Sequence, residues 1–547
     1  MKIVETLIIC LVALLSTSSV VSPVQALSSD EWRKQSIYSL MTDRFAPSKP
    51  VPKCNAADRT YCGGDWRGII EHLDYIQELG FTAIWISPVI EQIDGVTQYG
   101  EAYHGYWPKN LYRLNPHFGT EADLKELSNA LHERGMYLMV DVVVNHMGAR
   151  SLESLDYSEY TPFNHEKYYH NFCPIDEDVP ESFDKCWIHT DDFVLPDLNT
   201  DLLFVRQTLL EYIKSFVEAF SIDGLRIDAT KHIRKDFWPE FCSAAGVFCM
   251  GEMWSGEPIK LCDWQNYMDG LQNFPLQTAA GRAFFPSNWE GIIQLADTLT
   301  AIRGLCKDPL LLGNFIESHD LPRMASLTKD PAVIKNSIVF NLLGDGIPIM
   351  YYGQELAMRG HSDPHNRAAL WETGFPKRNP YYFFTLLVNR FRNAVLASPD
   401  GEDFIRSQSE LSIVDDHVLL LKRGKVITVL NNLGSYYIRF HFTVPAIEHT
   451  WINILTCQSA IHEDNRQVFI IRNGDPMILF PQEDAYKLGI CPSPALPPED
   501  IPYTPGSESP SSSPVSPVAP VSSHASTQQQ NINSVFVALI IVFFMIF

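Results

Sequence analysis

Between Ser36 and about Leu396, short apolar runs alternate with stretches whose apolar residues recur every three or four positions. The runs cover 36–45, 81–90, 136–146, 222–228, 246–254, 268–274, 311–320 and 347–354, and helix-length segments such as 121–134 and 203–220 separate most of them. Eight strand-like runs with helical connections predict an α/β protein built as a parallel (β/α)8 TIM barrel. The competing arrangement is a doubly wound open sheet. That fold usually carries a glycine-rich phosphate loop after its first strand, and none is present here. The connection from His146 to Asp201 has little helical periodicity and is rich in acids and aromatics. It predicts an inserted lobe after the third strand, over the active rim. From about 407 to 491 the pattern shortens to strands such as 417–422, 426–430 and 467–471, which predicts a C-terminal antiparallel β-sandwich domain.

The two ends read as addresses. Lys2, the apolar run 7–15 and Val24-Gln25-Ala26 have the layout of a secretory signal peptide. An uncleaved anchor is the rival, but the run is well short of the roughly 20 residues of a spanning helix. At the other end Pro and Ser dominate 492–526, which predicts an extended, O-glycosylated stalk. Small residues at 522–526, a polar spacer at 527–534 and an apolar run at 535–547 match a glycosylphosphatidylinositol (GPI) attachment signal. A tail-anchored helix is the alternative, but the run is short and lacks a basic stop. The expected division is 1–26 signal peptide, 27–146 and 202–400 barrel, 147–201 lobe, 401–491 β domain, 492–526 stalk and 527–547 anchor signal, removed on maturation. The expected location is the outer side of the plasma membrane or the wall.

Cysteine usage agrees with export. Cys10 leaves with the signal, and ten cysteines remain. Disulfides are the natural reading in an oxidising compartment; a zinc site is the rival, but there is no Cys-x-x-Cys pair. Sequential pairing keeps each closed loop within one segment, giving Cys54–Cys62, Cys173–Cys186, Cys242–Cys249, Cys262–Cys306 and Cys457–Cys491. The net charge of −23 argues against nucleic acid as a partner and suits a neutral one. A monomer is expected.

Three acids stand at the ends of predicted strands: Asp228 in Gly-Leu-Arg-Ile-Asp, Glu252 in Gly-Glu-Met-Trp and Asp320 in Glu-Ser-His-Asp. Delivered to one rim, three carboxylates suit cleavage of a glycosidic bond: a nucleophile, a proton donor and a stabiliser of positive charge. Arg226 lies two residues before Asp228, so both side chains share a face, and a nearby guanidinium favours the charged carboxylate. Glu252 needs to hold a proton and then give it up.

The segments Asp141-Val-Val-Val-Asn-His146, Gly224-Leu-Arg-Ile-Asp-Ala-Thr-Lys-His232, Gly251-Glu252 and Phe315-Ile-Glu-Ser-His-Asp320 resemble the four signature regions of the α-amylase family, glycoside hydrolase family 13. Leu195-Pro-Asp-Leu-Asn199 resembles a further marker in the lobe, and the similarity runs from about Trp32 to Cys491, closest to secreted fungal α-amylases. With its carboxyl-terminal anchor the chain is also similar to the anchored amylase homologues of fission yeasts. The resemblance implies Asp228 as nucleophile, Glu252 as general acid/base and Asp320 as stabiliser of the oxocarbenium-like state. It implies sugar contacts from His104, Tyr106, Trp107, His146, Arg226, Lys231, His232 and His319, with Asp363 and Arg367 clamping a distal sugar. It further implies a Ca2+ held by Asn145, Asp184, Asp197 and the His232 carbonyl.

Two departures stand out: Ser318 where Asn is more typical, and Met253-Trp254 where smaller aliphatics are usual. Trp254 on the acceptor side would exclude water or stack on an incoming glucan. The expected activity is retaining endo-hydrolysis of α-1,4-glucosidic bonds. Transfer by a 4-α-glucanotransferase of wall α-glucan is the alternative, and a catalytically silent glucan-binding wall protein is a third reading.

Overall fold

The computed structural model describes residues 27–492, apart from 191–192, 285–290, 438, 446–448 and 464–465. The expected signal peptide, the stalk beyond residue 492 and the anchor signal lie outside the described residues. Among the described residues no helix is long and apolar enough to cross a membrane.

Eight parallel strands form the central sheet: β1 (Ile37–Leu40), β2 (Ala83–Ile86), β3 (Tyr137–Val142), β4 (Gly224–Ile227), β5 (Phe248–Gly251), β6 (Gly270–Leu271), β7 (Gly313–Asn314) and β8 (Ile347–Tyr351). Their order is β6-β5-β4-β3-β2-β1-β8-β7. A parallel bridge from Gln272 to Gly313 and the bond from the Asn273 amide to the Gly313 carbonyl (2.8 Å) close the sheet into the predicted barrel. The strands are shorter than their apolar runs. The run 311–320 is the extreme case, with only Gly313 and Asn314 in the ladder. Beyond them Phe315 packs into the barrel interior and Glu317 is buried. That run is apolar because it is buried, not because it is paired.

Alternation along each strand sorts residues between two layers. Ile37, Ala83, Trp85, Met139, Phe248, Met250, Ile347 and Ile349 share the inner cluster, while Tyr38, Ile84, Ile86, Leu138, Val140 and Cys249 belong to the outer one. Trp32 plugs the floor: its ring stacks on Phe248 at 5.4 Å, and a Cβ at Gly224 would meet it at 2.5 Å. The same parity continued to the strand ends gives Asp141 on β3, Arg226 and Asp228 on β4, and Glu252 after β5. The top layer of the barrel is therefore polar while the layers beneath it are apolar. Outside, the helix Leu203–Phe220 buries Val205, Leu209, Ile213, Phe216 and Phe220 at helical spacing.

The lobe forms as expected, without an α-helix among its described residues. It is stapled by Cys173–Cys186 and joined to the end of β3 by a bridge between His146 and Asp197. Two antiparallel sheets, of six and three strands, make up the C-terminal domain, with Leu420, Val429, Phe442 and Phe469 in the apolar cluster between them. Asn336 on a barrel helix donates to the Gly474 carbonyl at 2.9 Å and accepts from the Asn431 amide at 2.8 Å, fixing this domain to the barrel.

Four of the five expected disulfides are present: Cys54–Cys62, Cys173–Cys186, Cys262–Cys306 and Cys457–Cys491. The Cys242–Cys249 bridge is not; both remain free thiols. Burial, and then the neighbouring Cys242 thiol, push the Cys249 thiol well up from its ordinary range. The two thiols are in hydrogen-bond contact without being bridged.

The barrel seam is tight at Gly270, where a Cβ would meet the Leu311 carbonyl oxygen at 2.5 Å. Gly270→Ala should therefore open the seam and destabilise the fold by about 1–3 kcal/mol, read as a lowered Tm in thermal unfolding; an unchanged Tm would show that the seam gives freely.

Candidate active site

The polar top layer is organised around one side chain. Arg226 is buried, and its Nη1 reaches Asp141 at 3.0 Å and Asp228 at 2.9 Å, while Nη2 reaches Glu252 at 2.8 Å. Its Nε donates to Gln272 Oε1 at 3.0 Å. A planar guanidinium with five donors can hold several carboxylates at fixed angles, which a lysine cannot. Asp228 and Glu252 are thus side by side, bound to adjacent nitrogens of one group. Glu252 is fixed further by the Ala229 amide, which donates to Oε2 at 2.9 Å.

Exposure separates the acids. The Asp141 side chain is 0 % exposed, Asp228 14 %, Glu252 13 % and Asp320 23 %. The last three present an oxygen to solvent, whereas Asp141 is closed off beneath them. Asp141 accepts from the Tyr106 hydroxyl at 2.8 Å and from Trp85 Nε1 at 3.2 Å. It is a positioning residue that the motif contained but to which the sequence reading gave no role.

Asp320 joins from the far side. It pairs with His319 Nε2 at 2.9 Å and with Arg367 Nη2 at 3.1 Å. The His319 ring stacks on Tyr106 at 5.1 Å, almost parallel, and Tyr106 in turn binds Asp141. The three signature acids therefore belong to one contiguous network. Glu317, from the same motif, faces away: it is buried and accepts from the Met324 amide at 2.8 Å.

Charge and burial set the protonation states. Burial, and next the Glu252 carboxylate, raise Asp228 well above the ordinary carboxylate range, with Arg226 opposing. Burial also raises Asp141, again against Arg226. Arg226 favours the charged carboxylate at Asp228, but one guanidinium is divided among three carboxylates and burial outweighs it there. Asp320 differs: burial would raise it, but His319 and Arg367 outweigh burial and hold it well below the usual range. Burial lowers His146 to about 4 and His104 well below its ordinary value, so both rings are neutral. His146 Nε2 meets the Tyr106 carbonyl oxygen at 3.1 Å, and His104 Nδ1 accepts from the Tyr106 amide at 3.0 Å. Both histidines thereby position Tyr106.

Several expected sugar contacts are placed differently. The Trp107 ring is buried, packed by Tyr99, His104 and Phe193, so it is core rather than a stacking platform. Arg367 is spent on Asp320 and on the Tyr99 hydroxyl, at 2.7 Å, rather than left open for a sugar. Asp363 binds the Tyr99 hydroxyl, and its buried Oδ1 lies 3.5 Å from Arg367 Nη1. Tyr99 carried no motif signal and was missed. The His232 ring meets the Phe183 carbonyl at 3.2 Å and burial lowers it to about 3. Beside it the Lys231 ammonium lies over the Phe183 ring at 4.8 Å. Trp254, partly exposed, stacks on Phe274 at 4.8 Å next to Glu252.

Where β3 meets the lobe, Asn145 Oδ1, Asp184 Oδ1 and Asp197 Oδ1 are buried without a hydrogen-bond partner. Buried polar atoms are ordinarily satisfied, so three orphaned oxygens from one expected ligand set fit a bound cation. Burial raises Asp197 to about 7, with His170, at 2.6 Å, opposing.

Comparison with known proteins agrees with this geometry. The family model described as alpha amylase, catalytic domain, matches residues 37–393. Alpha-amylase mde5 of Schizosaccharomyces pombe is 50 % identical over 477 residues, 87 % of this chain and 93 % of that protein. An alpha-amylase of Saccharomycopsis fibuligera is 45 % identical over 473 residues, 85 % and 94 % of the two chains. The solved structure of an alpha-amylase from Malbranchea cinnamomea superposes with a TM-score of 0.81 at 42 % identity, covering 85 % of this chain and 99 % of that one.

Because Asp228 is raised above its unfolded value, its ionisation opposes folding above about pH 4. Asp228→Asn should therefore raise Tm at pH 7 by about 2 °C or more, and the gain should fade as the pH falls toward 4. A loss of Tm at pH 7 would contradict the shared-guanidinium account.

Proposed function

We infer the chemistry from one premise: the chain belongs to the α-amylase family. It is a glycoside hydrolase that cleaves α-1,4-glucosidic bonds within α-glucans. The single observation that carries the assignment of roles is the pairing of Asp228 and Glu252 on adjacent nitrogens of Arg226.

The proposed division of labour is a double displacement. Glu252 gives its proton to the glycosidic oxygen as that oxygen leaves, while an Asp228 oxygen bonds to the anomeric carbon. Arg226 stays beside Asp228 and Asp141 as counter-ion and favours the charged nucleophile when it is needed. Glu252, now a carboxylate, takes a proton from water; the water oxygen bonds to the same carbon, and Asp228 leaves. Asp320, ionised by His319 and Arg367, faces the positive charge that develops on the ring. Tyr106 borders the position of the sugar being cleaved, its ring held by His319 and its hydroxyl by Asp141, and Asp363 belongs to the Tyr99–Arg367 group toward a more distant sugar.

A second reading, transfer to a sugar acceptor, is favoured by one observation: Trp254, two residues beyond Glu252, is partly exposed and stacks on Phe274. Maltopentaose separates the two. Hydrolysis gives only shorter products, first released as the α-anomer by NMR; transfer gives longer ones. Asp228→Asn should lower turnover by about a thousandfold or more. Substantial residual turnover would mean that another carboxylate attacks carbon.

A calcium ion is part of the proposal. Asn145, Asp184 and Asp197 would hold it with hard oxygen donors, the His232 carbonyl adding a fourth. Bound there it supplies positive charge between lobe and barrel and takes no part in bond exchange. EGTA should lower Tm by about 5 °C or more, and excess Ca2+, but not Mg2+, should restore it; a Tm indifferent to chelator would remove the ion from the account. Export and retention at the cell surface on a GPI anchor complete the proposal, supported by the tail composition and by the disulfides.

A further inference from the structure

Arg226 has a fourth partner, and it is uncharged. Its Nε donates to Gln272 Oε1 at 3.0 Å, and both side chains are buried. An Nε–H can only donate, so the amide is held with its oxygen end toward the guanidinium. Gln272 stands where the barrel closes, directly after β6. Its amide donates to the Gly251 carbonyl at 2.9 Å, its carbonyl accepts from the Phe274 amide at 3.0 Å, and it bridges to Gly313 of β7. Two residues earlier, a Cβ at Gly270 would meet Phe248 of the inner cluster at 2.8 Å. By strand parity the Gln272 side chain therefore points inward too. Backbone on both sides fixes the acceptor in place.

The guanidinium needs such a fixed point. It lies near the Trp85 ring, at 5.3 Å, and the Tyr106 ring, at 5.9 Å. Aromatic faces attract a cation without deciding how it is turned in its own plane. The titratable groups that face it are Asp141 from β3, Asp228 from β4, Glu252 from the end of β5, Tyr106 from the connection after β2 and Asp320 from across the rim. His319 reaches Asp141 and Asp320, and Lys231 reaches Glu252. Carboxylates attract whichever N–H is nearest, so they do not by themselves decide which nitrogen serves which acid. The bond from Nε does. With Nε directed at Gln272, Nη2 falls to Glu252 and Nη1 to Asp228 and Asp141. An amide oxygen achieves this without adding a fourth negative charge, whereas a carboxylate at 272 would compete for the same cation.

We propose that Gln272 is a positioning residue for glycosidic cleavage: it sets the rotation of Arg226 and so divides the guanidinium between Asp228 and Glu252; the proposal rests on the roles given to those two acids. Without the amide, Nε–H becomes a buried donor with no partner, which is costly. The charged acceptor on that side is Glu252, because β5 lies between β4 and β6. Arg226 then turns its Nε–Nη2 edge onto Glu252, in the bidentate pairing that a guanidinium favours, and withdraws from Asp228. The nucleophile loses counter-charge, and the pH at which it ionises rises.

The test compares wild type with Gln272→Met, which keeps the length and removes the amide, and with Gln272→Asn, which keeps the amide and draws it back by one methylene. Kinetics on maltopentaose are measured across pH. In 15N-arginine-labelled protein, NMR reads the Arg226 Nε–H resonance, identified by its loss in Arg226→Lys. Both variants should lower kcat about tenfold or more with KM unchanged, and move the acid limb of kcat/KM up by about one pH unit. The Nε–H signal should shift upfield as its hydrogen bond is lost. Wild-type kcat in Gln272→Met overturns the proposal, as does a rise in KM in place of the fall in kcat. So does an acid limb that stays in place, which would leave Gln272 a purely structural residue. Gln272→Asn behaving as wild type also overturns it, since polarity and not reach would then be the cause. Should one variant fail to fold, by Tm and circular dichroism, the other carries the comparison. A wild type that leaves maltopentaose intact strikes the roles of the acids, whereas an Nε–H signal unmoved by either variant strikes the hold of Gln272 on Arg226, so the two failures are told apart.

Discussion

One buried guanidinium holds the catalytic rim together. Arg226 takes carboxylates from the ends of β3, β4 and β5 at 2.8 to 3.0 Å, so three neighbouring strands end on a single group. Burying charge is costly unless it is paired and hydrogen-bonded. Arg226 meets that condition through Gln272 as well as the acids, yet three negative groups against one positive leave the cluster short of counter-charge. That imbalance, together with burial, favours the protonated form at Asp228 and Asp141, and a glycosidase has to deliver a proton at this rim. The arrangement that strains the fold is the one that supplies the chemistry.

Strand parity is why this much was legible in the sequence. A residue two positions along a strand points the same way, so Asp228 follows Arg226 into the barrel and Glu252 follows Phe248 and Met250. Asp320 was found by its motif but not by strand geometry, since β7 ends six residues before it. Asp141 stands in a signature segment but carries no role in the sequence, because its task depends on Arg226, Tyr106 and Trp85, which come from other strands and loops. Trp107 departs from its expected role because residue type and spacing say what a side chain can do, while packing decides which way it faces. Trp107 turns into the lobe junction, Arg367 turns onto Asp320, and Tyr99 enters the site unannounced because the two partners that bring it there, Asp363 and Arg367, are more than two hundred positions away.

The lobe and the C-terminal domain extend the same logic outward. The lobe meets β3 through backbone pairing of His146 with Asp197 and leaves three oxygens buried there without partners. The C-terminal domain meets the barrel through Asn336, Asp330 and Ser435. Each attachment fixes an element relative to the rim, which is what a substrate longer than the cleft requires.

The central claim is that the Asp228 oxygen bonds to the anomeric carbon. The most direct measurement is peptide mapping by mass spectrometry after reaction with a 5-fluoro maltosyl fluoride, which slows release of the covalent intermediate. The account predicts a single glycosylated peptide, modified at Asp228. A modification at Asp141 or Glu252, or no adduct from enzyme that still turns over substrate, would contradict it.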